Sequence, residues 1–263
     1  ILGVAAITVA VLVLFKKKVK EVPENISNDY AEEVFSEIEW IEIQAGEFLM
    51  GDNHGYGEHD ELPVHKVYLD SYKISKLEIT FEQFDKYSRA TQLWDPSSEG
   101  WGREDRPVIN VRWGEVLMFC EWLSEYTKKK IMIPTEAQWE KAAIGTSTVI
   151  YPWGNSAPGC SRTNYNNCIG KTEPVGSYPL DISVYGVLNM GGNAAELVRD
   201  GYQADYYSIS PYNNPEGPDL ESTDYRVVKG GNWSSNDLRA SNRSSLGKFS
   251  RNERTGFRIV WID

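Results

Sequence analysis

Few side chains in this chain are equipped for covalent or metal chemistry. It holds three cysteines and three histidines. The histidines, His54, His59 and His65, fall in one stretch, but their spacing matches no familiar metal-ligand pattern. They read as solvated loop and hairpin residues. Cys160 and Cys168 flank a single loop and could pair, whereas Cys120 sits in an apolar, helical stretch and reads as core. Two C-terminal segments stand out instead for their oxygen and amide groups. One is Asn189-Met190-Gly191-Gly192-Asn193-Ala194-Ala195-Glu196. The other opens with Lys229-Gly230-Gly231-Asn232-Trp233 and closes at Gly256-Phe257-Arg258. No cysteine lies between Trp233 and Gly256, so that interval carries small polar and aromatic groups and no thiol. Loops rich in Asn and acidic residues suit Ca2+, which takes hard oxygen ligands.

Such groups need a frame to hold them. The segments Ile41-Glu42-Ile43 and Glu47-Phe48-Leu49-Met50 alternate like short strands around an Ala45-Gly46 turn, and Val64 to Leu69 and Tyr72 to Ser75 repeat the pattern. Thr80 is placed to cap a helix with Phe81, Phe84 and Tyr87 on one face. A second helix is expected over Trp113 to Tyr126, with Val116, Leu117, Phe119, Cys120 and Leu123 on or near its apolar side. A third begins at Thr135, where Gln138 completes a capping box. Beyond Ala143 regular patterns are scarce, and Gly, Asn, Pro and Ser dominate. Three helices, short strands and a loop-rich second half predict an α+β domain. The nine Trp and fifteen Tyr suit such a fold as anchors, or a binding surface as rigid contact area.

The length suits one large domain or one domain with an appendage. A formal net charge of -11, with basic residues scattered outside one N-terminal cluster, argues against nucleic acid as a partner. Ile1 to Phe15 is an uninterrupted apolar run followed by Lys16-Lys17-Lys18-Val19-Lys20. The run is shorter than the ~20 residues a spanning helix needs, but the chain begins at Ile and not Met. Residues 1–20 are therefore expected to be a membrane anchor or signal-anchor truncated at its N-terminus. The domain is expected on the extracytoplasmic side, although the lysines taken alone favour the cytoplasm. Residues 21–39, polar and carrying Pro23 and Asn25, are expected to be a tether, and residues 40–263 the folded domain.

From Trp40 onward the motifs are similar, in order, to those of the formylglycine-generating enzyme, or sulfatase-modifying factor, domain family, a relative of the C-type lectin fold. Phe48-Leu49-Met50-Gly51 with Glu61-Leu62-Pro63-Val64-His65-Lys66-Val67 resembles its opening hairpin. Leu77-Glu78-Ile79-Thr80 with Phe84 resembles its first helix start. Pro107 to Val111 with Trp113 and Cys120-Glu121-Trp122-Leu123 follow in place. Ile133-Pro134-Thr135-Glu136-Ala137-Gln138-Trp139-Glu140-Lys141-Ala142-Ala143 is close to a family signature. Tyr151-Pro152-Trp153-Gly154, Pro174-Val175-Gly176-Ser177 and the two C-terminal segments complete the series. The resemblance implies a C-type-lectin-like, formylglycine-generating-enzyme-like α+β domain with little regular structure in its second half.

It also implies calcium. Asn189, Gly192, Ala194 and Glu196 match one family site, with Asn189 and Glu196 giving side-chain oxygens. A second set would use Asn164, Tyr165, Asn167 and Ile169, with Asn167 where an Asp is more usual, and losing that carboxylate weakens it. The family usually carries Trp at the position of Ala195 and an aromatic at that of Leu197. Formylglycine generation in the resembling enzymes uses a copper-binding cysteine pair in the interval after the Gly-Gly turn. Thiolates suit Cu(I) because it is soft, and none is present there. No copper is expected, and formylglycine generation is disfavoured. The related iron-dependent sulfur-transfer enzymes take their metal from an added helical domain with a His motif, and no such domain is expected from these residues.

The same interval has a second resemblance, to variable regions of retroelement-diversified proteins on a lectin-like fold. Trp233, Ser235, Asn236, Asp237, Asn242, Phe249 and Asn252 interleave with framework-like Leu238, Arg239, Arg243, Gly256, Phe257 and Arg258. A rigid frame presenting small polar and aromatic side chains is a common design for adaptable recognition. The expected function is a membrane-tethered, non-catalytic protein that binds a protein or glycan ligand at these residues. The alternative is a metal-dependent oxidase or hydroxylase of the same family.

Overall fold

A computed structural model describes residues 24–262 of the chain. The expected anchor, residues 1–20, lies outside the described residues. Among those described, no helix is long and apolar enough to cross a membrane.

The expected tether is corrected. Helix α1 (Glu24–Glu37) occupies most of it, and the folded domain starts well before Trp40. Ala31, Val34 and Ile38 fall at helical spacing and are almost fully buried. They pack α1 against α2 (Phe81–Thr91) and α3 (Trp113–Thr127). Ser27 donates its hydroxyl to the Ala90 carbonyl at 3.1 Å, and Lys86 of α2 ion-pairs with Glu33 and Glu37. The polar outer face of α1 gives the segment its linker-like composition, while a stripe of three apolar residues docks it.

Two of the remaining helices start at the expected caps. Thr80 accepts from the Gln83 amide, and the Gln83 side chain closes a capping box on α2. Thr135 and Gln138 do the same for α4 (Glu136–Ile144).

Three small sheets complete the frame. Strands β1 (Trp40–Ile43), β4 (Tyr72–Ser75), β10 (Val260–Ile262) and β5 (Lys130–Met132) form one in the order β1-β4-β10-β5. This sheet brings the last strand, β10, between β4 and β5. Strands β2 (Gly46–Met50) and β3 (His65–Leu69) form the expected hairpin. Although only Gln44 and Ala45 separate β1 from β2, β1 pairs with β4 and not with β2. The third sheet runs β8 (Ser244–Gly247), β7 (Tyr225–Lys229), β6 (Ala195–Gly201), β9 (Thr255–Gly256).

One part of the core gathers Phe84, Phe119 and Phe257 with the first three helices; another surrounds Trp139 beneath the hairpin. Between Ile144 and Ala195 no named helix or strand intervenes. Buried charged side chains do the joining there. Arg258, fully buried, donates to the carbonyls of Ser75, Lys76, Leu188 and Asn189 as well as to Glu196. A guanidinium with five donors can satisfy several carbonyls that no ladder reaches. The pairing of Cys160 with Cys168 closes the loop they flank.

Candidate ligand cleft and oxygen-rich turn

A cleft of about 320 Å³ opens over the third sheet. Its floor is made by Ala195 of β6, Val228 of β7 and Thr255 of β9, all buried. One wall is the loop that follows β7, with Gly231, Asn232, Ser235, Asn236, Asp237 and Asn242; the other is Ser244, Ser245 and Leu246 of β8 with Asn252 and Arg254. Gly231 makes the sharp entry to the first wall. Its φ is +68°, and a Cβ there would come within 2.6 Å of Leu238 and 2.7 Å of the Asp237 carbonyl.

The walls are braced by short local bonds. Asn232 accepts from the Ser234 amide at 3.0 Å and returns its own amide to the Ser235 hydroxyl at 3.1 Å. The Asp237 carboxylate receives Arg239 at 2.6 Å and Asn242 at 2.9 Å. Arg239 in turn is tied to the buried Glu61 at 2.7 Å. The frame is therefore fixed while polar groups face the opening.

Of the seven residues expected to form the ligand surface, Ser235, Asn236, Asp237, Asn242 and Asn252 line this cleft. Trp233 does not, and its expected display is corrected. It is 8% exposed, with its ring edge-on to Trp101 and its Nε1 donating to the Glu253 carbonyl. The turn swings it inward because the Trp233 amide bonds the Asn193 carbonyl at 2.9 Å. Phe249 is 76% exposed but lies outside the cleft lining. The floor residues and Arg254 escaped sequence reading. The signal that could have found Ala195 is its place where the family usually carries Trp.

Beneath the cleft lies the turn from Asn189 to Asn193, with both of these Asn residues at positive φ. Gly192 is required here: at φ +108° a Cβ would sit 2.6 Å from the Asn164 carbonyl. The Asn189 side chain is buried and neither amide atom has a partner. Glu196 is engaged otherwise. Arg258 holds both its oxygens at 2.6 and 2.7 Å, and Trp139 Nε1 adds a bond at 2.7 Å. Asn189 thus fits a cation, whereas Glu196 already accepts three hydrogen bonds, two on Oε2 and one on Oε1, and has one lone-pair site left on Oε1. In the second set Asn164 is buried with Oδ1 unpartnered, while Asn167 and Ile169 are exposed. The Tyr165 carbonyl accepts from the Cys168 amide at 2.8 Å.

Two further acids face the turn. Glu78 accepts from the Asn193 amide at 3.3 Å and Asp181 from the Gly191 backbone at 3.2 Å. Burial pushes Glu78 up to about 7 and Asp181 well above its ordinary range. The histidines do not converge. His54 bonds the Thr148 carbonyl and His65 the Pro63 carbonyl. Cys120 is buried in α3, and burial pushes its thiol up. Among the described residues no group of three or more His, Cys, Asp or Glu gathers as a metal site.

This arrangement, with scattered helices, small twisted sheets and long ordered loops around a polar cleft, defines a C-type-lectin-like α+β domain. Residues 27–262 match the sulfatase-modifying factor enzyme 1-like domain, and the chain belongs to that family. It is 31% identical to the serine/threonine-protein kinase pkn1 of Chlamydia caviae, covering 90% of this chain but 41% of that protein. This chain thus spans about two-fifths of that relative's length. It is 27% identical to the formylglycine-generating enzyme of Thermomonospora curvata, over 73% of this chain and 82% of that one. The solved structure of Treponema denticola variable protein 1 superposes with a TM-score of 0.70 at 23% identity, covering 84% of this chain and 94% of that one.

Proposed function

We propose that this chain is a non-catalytic ligand-binding member of its family and that the cleft over β6, β7 and β9 takes a polar ligand, a glycan residue or a polar peptide segment. The observation that carries the reading is the lining: Asn, Ser, Asp and Arg side chains on a braced frame, above a floor opened by Ala195. The chain's one unpaired thiol, Cys120, is buried in α3 away from this lining. Paired-thiol chemistry therefore has no place in the cleft. A volume of about 320 Å³ is at the small end for ligand sites and suits one or two sugar rings or a short peptide turn.

The interleaving of lining positions with buried Leu238, Arg239, Arg243, Phe257 and Arg258 also supports diversification of this segment. A template repeat and a reverse transcriptase near the locus would agree with it, and a bare locus would rule it out. Tethering rests on the apolar run Ile1 to Phe15 and the lysines after it; partition of the full chain into detergent with the membrane fraction tests it, as protease shielding tests the side.

The test of binding is an array of glycans and short peptides probed with the protein and two variants. Ala195→Trp should fill the floor and Asn236→Ala should remove a wall contact. Each is expected to weaken a retained ligand at least tenfold with thermal stability kept. Equal binding by all three proteins would show that the cleft is not the site. Oxygen consumption on a cysteinyl peptide by protein that retains copper or iron would overturn the non-catalytic reading and favour the oxidase.

A further inference from the structure

The hydrogen-bonding groups of the cleft walls are unevenly disposed. A backbone N–H can only donate, so a side-chain amide that bonds one does so through its oxygen and keeps its NH2 group for other partners. Asn232 engages Oδ1 with the Ser234 amide at 3.0 Å and the Ser234 hydroxyl at 2.9 Å. Asn252 engages Oδ1 with the Arg254 amide at 2.9 Å, and its own carbonyl is held by the Asn110 amide at 3.0 Å. The Ser235 hydroxyl accepts from the Asn232 amide at 3.1 Å, which leaves its proton to donate.

The carboxylate in the lining is occupied in the same way. Asp237 Oδ1 accepts from the Arg239 amide at 3.1 Å, and Oδ2 from the Arg239 guanidinium at 2.6 Å and Asn242 Nδ2 at 2.9 Å. Its charge is matched within the wall. Asn242, with Nδ2 on Asp237, and Ser244, which donates to the Val228 carbonyl at 3.2 Å, are the lining groups that offer an oxygen.

Arg254 adds charge to the donors. It is exposed, ion-pairs with Glu253 through Nε at 3.1 Å and lies over the Trp233 ring at 5.4 Å. Its two terminal nitrogens have no hydrogen-bond partner among the described residues. Trp233 Nε1 bonds the Glu253 carbonyl at 3.3 Å, so the segment that carries Asn232 lies against the one that carries Asn252 and Arg254. Amide donors beside a guanidinium suit a planar anion with several acceptor oxygens. A guanidinium already shared with Glu253 suits a single negative charge, that of a carboxylate, better than a phosphate dianion.

The floor favours a peptide over a sugar as the carrier of that charge. Ala195, Val228 and Leu246 offer aliphatic surface to the methylenes of an acidic side chain. No aromatic ring is in the lining for a sugar face to stack on, since Trp233 is turned inward and Phe249 lies outside.

We propose that the cleft selects an acidic peptide segment, with an Asp or Glu carboxylate on Arg254 beside the amide donors of Asn232 and Asn252. This rests on the reading of the cleft as the ligand site and narrows it to one chemistry.

Calorimetry with end-blocked hexaglutamate, hexaglutamine and an oligogalacturonate of the same length tests it. Hexaglutamate is expected to bind, more weakly as salt rises, and hexaglutamine at least tenfold less well. Asn232→Asp and Asn252→Asp keep the oxygen that braces each wall and turn the outward donor into an acceptor. Each, like Arg254→Gln, is expected to weaken hexaglutamate at least tenfold with Tm kept. Ala195→Trp, which fills the floor, should abolish the binding and so separates the two readings. Hexaglutamate binding that survives Ala195→Trp puts the acid elsewhere and strikes both. A neutral ligand lost in Ala195→Trp, with no preference for hexaglutamate, keeps the cleft and overturns the acidic peptide. Tighter binding of the oligogalacturonate, or equal hexaglutamate affinity in the Asn232, Asn252 and Arg254 variants, also overturns it.

Discussion

Asp200 shows how a single buried acid sets a pH dependence. It is 3% exposed, and its Oδ2 accepts from the Glu136 amide at 2.7 Å, at the first residue of α4. An acceptor at a helix N-terminus is favourable. Burial, with the Glu136 carboxylate beside it, nevertheless pushes Asp200 up to about 7. The folded protein therefore holds this proton more tightly than the unfolded chain, whose Asp titrates near about 4. The stability it contributes is complete below about pH 4 and is lost as pH rises towards 7. Asp200→Asn keeps the acceptor and removes the titration. Urea unfolding of the wild type relative to this variant should lose on the order of a few kcal/mol across that window. Parallel pH profiles for the two proteins would refute the assignment.

At the level of elements, legibility follows local signals. α2 and α4 are readable because Thr80 and Thr135 each carry a capping box followed by apolar spacing. The strand β2 is readable by alternation, but its partner β3 comes from the family resemblance and not from the local pattern, which sets β2 beside β1 around the Ala45-Gly46 turn. The cleft is partly readable for the same reason. Ser235, Asn236, Asp237, Asn242 and Asn252 interleave with framework residues that are buried in the fold, whereas the burial of Trp233 depends on a bond to Asn193, distant in sequence. The oxygen-rich turn was visible as Asn189 and Glu196, but the engagement of Glu196 by Arg258 and the approach of Glu78 and Asp181 needed the fold. α1 is the largest omission: three apolar residues in a polar segment look like a linker until α2 and α3 supply a surface. Its role is testable. A chain beginning at Ile38 should unfold at least several degrees below one beginning at Glu24, and Val34→Asp in the longer chain should reproduce most of that loss. Equal melting temperatures would restore the tether.

Over the whole molecule, the loop-rich half has little hydrogen-bonded ladder of its own and leans on charges buried between distant segments. Lys229 on β7 is fully buried and bonds Glu140 of α4 at 3.0 Å, Glu136 at 3.5 Å and the Ser241 carbonyl at 3.2 Å. Glu140 also accepts the Gly51 amide at 2.8 Å, just past the β2–β3 hairpin strand. One ion pair thus ties the hairpin loop, a helix and the sheet beneath the cleft. Removing one partner of a buried pair leaves an uncompensated charge, which costs ~3–5 kcal/mol, while replacing both can be nearly neutral. Lys229→Met is expected to lose that much stability, and adding Glu140→Gln should recover a substantial part of it. Because the tie spans both halves, hydrogen exchange in Lys229→Met should rise at Gly51 as well as along β7. Faster exchange confined to β7, or a double variant no more stable than the single one, would show that the two halves are held together by something other than this pair.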